Sequence, residues 1–477
     1  MKYYFIGICG ISMSALAVFL KKEGNDVSGS DSNPENHILY ENGISVFNKA
    51  NLKKIEECDV VTFSSAIKED NEDLKYAKHL GKKILSRGEL LGVISKKYKN
   101  VIAVAGSHGK TTTTALIYNV LKMAGKNPTL HLGGILKEEN SNFVIGDKEY
   151  FVTEACEYCD NFLFLKPTIS VVTNIEPEHL DYFKTFENQL KSFEKFKKQS
   201  QFIFEQNGDY FAENVHYDSN GKLCFRLCSI EKNILNKKYK IKNNKNIIKK
   251  HKKTVKKSIK NAFLHKNKPI LKLNKYKLKN YQEKLNLEKN CQLNFKVNIC
   301  EEINIQNIIM AYRVCKFLEI PDNKILEGIE SFQGVKLRFE KVNCSKFPNV
   351  ILDYAHHPTE IKNSMKTALK VFKDKKVIFI FQPHTYSRTK NLLNEFIYVF
   401  ENLDNLILYK TYEAREKESD GISAKRLKDF LVNKDVRYCD DLDSLLKILE
   451  KFSSDDVLIF IGAGDLPNML YKAGFIY

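Results

Sequence analysis

The sequence predicts an α/β protein of three domains built on parallel sheets, and three observations carry that prediction. Apolar, β-branched runs alternate with helical periodicity along nearly the whole chain, the pattern of strands layered between helices. Residues 101–115, VIAVAGSHGKTTTTA, run from an apolar strand through a glycine-bounded loop into a helix. A chain of 477 residues holds about three domains, each with room for a core that needs no disulfide or metal staple.

The first domain is expected over residues 1–97. A strand at 3–8 meets Gly7 and Gly10, where the chain turns into a helix, and VSGSD at 27–31 forms a second strand ending in an acid, the spacing of a Rossmann-like start. A further strand is expected at 60–64. Residues 3–20 carry no charge, follow Lys2 and contain Ala15-Leu16-Ala17, so their composition also suits a signal peptide or a short membrane helix. The glycine spacing and the acid-ended second strand favour the buried fold. No later segment is long and apolar enough to cross a bilayer.

The second domain, 98–333, opens with the loop of Gly106, Ser107, His108 and Gly109, and its helix starts at Lys110 and runs on through Thr111 and Thr112. Free amides and the positive end of the helix dipole converge there, which suits a nucleotide polyphosphate as in a P-loop ATPase. The spacing G-x-x-G-K-T-T is shorter than the common G-x-x-x-x-G-K-[ST] pattern. Strands at 151–154 and 169–174 deliver EACEYCDNF and TNIEPEHLD. Where those strand ends converge on the phosphates, the Thr111 hydroxyl, the Glu154 carboxylate and the His179 imidazole suit Mg²⁺; a lone histidine is more often structural, but the place of His179 after an apolar strand, near other acids, favours the functional reading. A helix at 304–317 and the segment up to 332 close the domain.

The third domain, 334–477, is expected to be a second Rossmann-like sheet. Strands at 350–353, 377–381, 405–409 and 457–461 run into LDYAHHPTE, FQPHTYSRT, YEAREKESDG and IGAGD, and ligands of open parallel sheets gather at such carboxyl ends. Asp353, His356, His357, His384 and Arg388 are types that hold ribose hydroxyls, phosphates or a carboxylate, with Arg388 suited to a bidentate grip.

The formal charge is +18, yet residues 232–289 hold 21 lysines against Glu283 and Glu288, which leaves a balance near −1 elsewhere. That Asn-rich stretch lacks a nucleic-acid motif and reads as a solvated, low-complexity insertion, the alternative being a basic arm. Eleven scattered cysteines, an odd number, fit a reducing cytoplasm. Cys156/Cys159 and Cys224/Cys228 are closely spaced, but no His or Cys cluster stands nearby to complete a zinc site.

Taken in order, GICGISMS, VSGSD, SSAI with Asn71, AGSHGKTTTTA, TNIEPEH, SFQGVKLRF, DYAHHPTE, FQPHTYSRT, YEAREK and GAGD resemble the Mur ligase family over all but roughly 232–289. The branch most resembled joins L-alanine to UDP-N-acetylmuramate with ATP, in peptidoglycan precursor synthesis. The resemblance implies that Lys110 and the loop amides hold the ATP phosphates and that Thr111, Glu154 and His179 arrange Mg²⁺. It puts Asn304 and Asn307 near the adenine, and has Arg338 and Asp353 reach the nucleotide across a domain interface. Gly7, Gly10, Ser30, Asp31, Ser64 and Arg87 would lie along the UDP-sugar path, and Arg388, with Tyr354, His356 and His384, would take the amino acid. The implied reaction passes through an acyl phosphate, shielded from water as the third domain closes over the second. The implied protein is a cytoplasmic monomer or weak homodimer acting on small molecules, with no nucleic acid and no membrane insertion.

Four departures stand out. Cys9 and Ser12 replace glycines of the family's G-x-G-G-x-G, Cys156 and Tyr158 stand where Asp and Ser are usual, Glu301 and Ile303 replace the Gly and His of G-x-H-N-x-x-N, and Leu337 and Thr385 stand where Arg is frequent. A tripeptide-adding murein ligase shares GICG and much of the phosphate loop, whereas FQPHTYSRT, SSAI and GAGD favour the alanine branch. A nucleic-acid-associated ATPase is the rival of another class, suggested by the lysine segment.

Overall fold

Twenty strands and the helices between them make up the computed structural model, which describes residues 1–64, 66–206, 209–230, 289–401, 403, 405–414, 416–431 and 436–477. The lysine-rich insertion expected at about 232–289 lies outside the described residues except for Lys289.

Five strands, β1 (Lys2–Ile6), β2 (Asp26–Ser30), β3 (Ser45–Phe47), β4 (Val60–Phe63) and β5 (Lys83–Ser86), form an all-parallel sheet of order β3-β2-β1-β4-β5. The order reverses beside β1, which is where such sheets open a crevice at their carboxyl ends. Gly7, at φ +78°, turns the chain out of β1 into the helix Ile11–Lys22, whose Met13 to Leu20 are buried. The uncharged stretch 3–20 is therefore β1 and a core helix, its composition set by burial on both sides. Strands β3 and β5 were too short and too polar to show in the sequence pattern.

The second sheet comprises β6 (Asn100–Ala105), β7 (Thr129–Leu136), β8 (Ser141–Val144), β9 (Tyr150–Glu154), β10 (Ile169–Val172) and β11 (Phe202–Glu205), in the order β11-β10-β6-β9-β7-β8. It departs from the expected parallel sheet at one edge, where β7 and β8 pair antiparallel through a short connection. Its central strand β6 is apolar on both faces because helices cover both, as parallel sheets require. The apolar core runs without a break from the first sheet to the second: Phe19 meets Phe143 at 5.1 Å and Tyr98 stacks on Phe151 at 4.8 Å.

Strands β12 (Tyr210–Tyr217), β13 (Leu223–Ile230) and β14 (Lys289–Val297) form a separate three-stranded sheet, most of it in a smaller body whose described residues are 209–216, 224–230 and 289–295. The remaining described residues form the larger body, which includes the last sheet. There β15 (Glu340–Val342), β16 (Val350–Asp353), β17 (Val377–Phe381), β18 (Leu406–Tyr409), β19 (Arg437–Cys439) and β20 (Val457–Ile461) lie in the order β15-β16-β20-β17-β18-β19, parallel except for β15. The four predicted strands of this region form, with β15 and β19 added at the edges. No helix among the described residues is long and apolar enough to cross a membrane.

Candidate active site

Strand β6 ends at Ala105, and the loop turns through Gly106 at φ +134° and Gly109 at φ +82° before the helix Lys110–Met123. A side chain at either glycine is barred twice over. A Cβ at Gly106 would fall 2.2 Å from the Thr173 hydroxyl, and one at Gly109 would fall 2.3 Å from Asn307 Oδ1, besides the strain of positive φ. The amides of Ser107 and His108 donate to Asn174, at 3.0 and 2.8 Å, and so do not face a ligand as the sequence reading supposed. Ser107 also exchanges hydrogen bonds with the Glu176 backbone. At the helix start itself, Lys110, Thr111 and Thr112 have no intrahelical acceptor for their amides, the kind of end that suits an anion.

Lys110 donates to Glu157 Oε1 at 3.1 Å and to the carbonyls of Gly106 and Ser107. Burial opposes its charge, but Glu157 and Glu178 outweigh burial and raise its pKa. Burial likewise pushes Glu178 up to about 7, against the pull of Lys110 and His108. Glu157, Glu178 and His179 each direct a ligand atom within 4.8 Å of the others, the one such group of acids, histidines and cysteines among the described residues. His179 reaches this position on a left-handed backbone, φ 53°, with Nε2 3.6 Å from Glu157. Glu157 is fully buried and its Oε2 has no hydrogen-bond partner, as a carboxylate awaiting a cation would be. Of the expected set of Thr111, Glu154 and His179, His179 stands in this group and Glu154 does not. Glu154 accepts the Gly133 amide at 2.7 Å, and its charge is felt by Arg338. Sequence reasoning passed over Glu157 and Glu178, although both lie inside the quoted motifs.

The last sheet's loops meet this centre through Glu360. Its Oε1 lies 3.2 Å from His108 Nδ1 and 3.9 Å from Arg338, and its Oε2 accepts the His356 amide at 3.3 Å. Burial would raise Glu360, but His108, His356 and Arg338 hold it well below the usual carboxylate range. Burial alone would discharge His108; Glu176 and Glu360 instead bring it up to about 10. Three residues after His357, Glu360 also completes a helix capping box. Arg388 donates to His384 Nδ1 at 3.0 Å, and burial, then Arg388, lowers His384 to about 4. His384 and His356 face each other with ring centres 6.1 Å apart, and the Tyr354 ring packs on Arg338 at 5.4 Å.

Asn304 and Asn307 are buried and joined at 2.8 Å, with Asn307 against Gly109. Nearby, the Ser364 hydroxyl contacts both Asp353 and Glu301, and burial raises both acids. Glu301, one of the departures, lines a cavity of about 280 Å³ with Thr112, Asn304, Val335, Arg338 and Phe372. In the first sheet, Gly7, Gly10 and Asp31 gather at the carboxyl ends with Ser64 beside Gly7, and Asp31 accepts the Cys9 amide at 2.9 Å. Ser30 does not join them with its side chain, since its hydroxyl turns onto buried Asp73 at 2.9 Å. Arg87 reaches the same region and donates to Ser12 at 3.3 Å.

The sheets, the glycine loop and the acid-rich centre follow one family model after another along the chain. Residues 2–99 match the Mur ligase family catalytic domain, 104–245 the Mur ligase middle domain, and 337–464 the Mur ligase glutamate ligase domain. A curated UDP-N-acetylmuramate–L-alanine ligase of Caldicellulosiruptor saccharolyticus is 38% identical over 98% of this chain and 97% of its own. The chain belongs to the Mur ligase family. This Mur ligase is also similar in fold to the crystal structure of a Thermotoga maritima UDP-N-acetylmuramate–alanine ligase, with a TM-score of 0.76 at 24% identity over 99% of this chain and 98% of that one. A Thermotoga maritima MurF ligase solved with ADP matches at a TM-score of 0.53 and 15% identity over 94% of each chain.

Proposed function

We propose that the protein ligates L-alanine to UDP-N-acetylmuramate with ATP, through an acyl phosphate, in the synthesis of the peptidoglycan precursor. The observation that carries this reading is the full-length likeness to curated ligases of that name, which spans all three domains. The site's chemistry supports it. A lysine at a helix start, held by a buried acid, suits a transferring phosphoryl group, and a cluster of two carboxylates and an imidazole fits a hard divalent cation such as Mg²⁺.

The lactyl carboxylate of the sugar nucleotide attacks the γ-phosphorus of ATP and ADP departs. The alanine amine then displaces phosphate from the acyl carbon. No side chain has to act as a nucleophile, so the protein's part is alignment and charge neutralisation. Lys110 and the first-turn amides hold the phosphates. His179 with Glu157 and Glu178, or with Thr111 and Glu154, would hold Mg²⁺, which when bound neutralises charge on the γ-phosphate. Arg388, kept in place by His384, takes the alanine carboxylate beside His356 and Tyr354. Glu301, Asn304, Asn307, Arg338 and Asp353 line or flank the cavity offered to the nucleoside.

Phosphate release measured with UDP-N-acetylmuramate, ATP, Mg²⁺ and each of L-Ala, L-Ser, Gly and a tripeptide tests the reading. Turnover is expected with L-Ala and requires all components; preference for the tripeptide would assign the murein peptide branch. Fast ATP hydrolysis without sugar nucleotide, or stimulated by DNA or RNA, would overturn the ligase reading.

A further inference from the structure

Ser12 sits in the first turn of the helix Ile11–Lys22, and its hydroxyl does more than fill space. Its Oγ lies 2.9 Å from Nε2 of His131, on β7 of the second sheet, and 3.3 Å from Nη1 of Arg87. The other ring nitrogen, Nδ1, lies 2.9 Å from the Thr153 hydroxyl on β9, which donates to the Glu154 carbonyl at 3.0 Å. His131 is 2% exposed and Thr153 0%, so water does not compete for the bond between them. Asn142 of β8 donates to the Ile11 carbonyl and ties the same loop to the same sheet edge.

The donors run in one direction only. Thr153 uses its single proton on the Glu154 carbonyl, so its oxygen accepts from His131 Nδ1–H. Nε2 is then the acceptor of a neutral ring and takes the Ser12 proton. Burial, helped by the charge of Arg87, lowers His131 to about 3, so the ring keeps this state at any working pH. Ser12, its proton committed, presents lone pairs alone, and these face the Arg87 guanidinium. Without the imidazole, the Ser12 proton would be free to turn toward Arg87 and repel it.

We infer that the relay Ser12–His131–Thr153 is a positioning device that fixes the Arg87 guanidinium toward an anionic group of the UDP-sugar substrate. The inference rests on the reading of Arg87 as a UDP-sugar residue given above.

Steady-state kinetics on the full chain test it. Ser12→Gly and Ser12→Ala are expected to raise KM for UDP-N-acetylmuramate about tenfold, the scale of one hydrogen bond to a charged group. kcat and the KM values for ATP and L-alanine should stay within about twofold. His131→Phe should match them, His131→Gln, whose amide both donates and accepts, should recover most of the loss, and Ser12→Ala with His131→Phe should be no worse than either alone. Where His131→Phe does not fold, the two Ser12 variants decide the matter by themselves. Arg87→Ala raising KM for the sugar nucleotide while the Ser12 variants leave it unchanged would overturn the positioning role alone. Arg87→Ala leaving that KM unchanged would overturn it together with the reading of Arg87.

Discussion

His108 of the phosphate loop and Glu360 of the third domain, 252 residues apart in the chain, meet at 3.2 Å and hold each other charged. The same carboxylate also touches His356 and Arg338, so one side chain ties the phosphate loop to the loops proposed for the amino acid and the nucleotide.

Glu360→Gln is expected to cost about 2 kcal/mol of stability near neutral pH, because it leaves a mostly buried imidazolium with Glu176 as its remaining acid partner. The sign of the pH dependence follows from both partners. His108 rises from 6.5 to about 10, so its contribution is full below pH 6.5 and fades as pH climbs through 10. Glu360 is held well below 4.5, so its contribution is full above 4.5 and fades as pH falls further. The gap between wild type and variant in denaturant melts should therefore be widest between about pH 4.5 and 6.5 and shrink on either side. A gap that does not vary with pH would show that the pair is not ionised.

Lys110→Ala removes the cation aimed at the transferring phosphoryl group. A fall in kcat of about 10² to 10³ is expected, the usual loss for one preorganised electrostatic partner. The change also leaves Glu157 buried without its ammonium, so a melt must accompany the rate. A folded variant with half the wild-type rate would make the lysine structural.

His179 is common to the two candidate metal sets, so His179→Ala should raise the Mg²⁺ concentration for half-maximal activity at least about tenfold. Glu154→Gln and Glu157→Gln then separate the sets, since only loss of a ligand raises the Mg²⁺ requirement while loss of Lys110's partner alters kcat. Full activity in excess EDTA would rule out the metal altogether.

Arg388→Ala should raise KM for L-alanine about tenfold or more while KM for ATP moves within about twofold. His384→Ala should shift the same constant by less, because it removes only the acceptor that orients the guanidinium. Equal rises in both KM values would assign Arg388 to domain closure.

The sequence by itself determined the alternation of strand and helix, three of the four sheets among the described residues, the glycine loop with its helix starting at Lys110, and four of the six strands of the last sheet. These are local facts: apolar runs must be buried, and Gly106 and Gly109 mark turns that other residues cannot make. Its quoted motifs also contained Glu157, Glu178 and Glu360, but spacing gave no reason to prefer them to Glu154, because an acid's role depends on which cation the fold brings to it. Tertiary structure alone decided that Glu157 faces Lys110, that Ser30 turns inward onto Asp73, and that Ser107 and His108 give their amides to Asn174. It also paired Ser12 with His131, 119 residues away, and His108 with Glu360. Burial is the physical reason for the difference. It makes charge and hydrogen-bond geometry decisive, and which groups share a buried space is set by how separate sheets pack, which periodicity along one chain cannot encode.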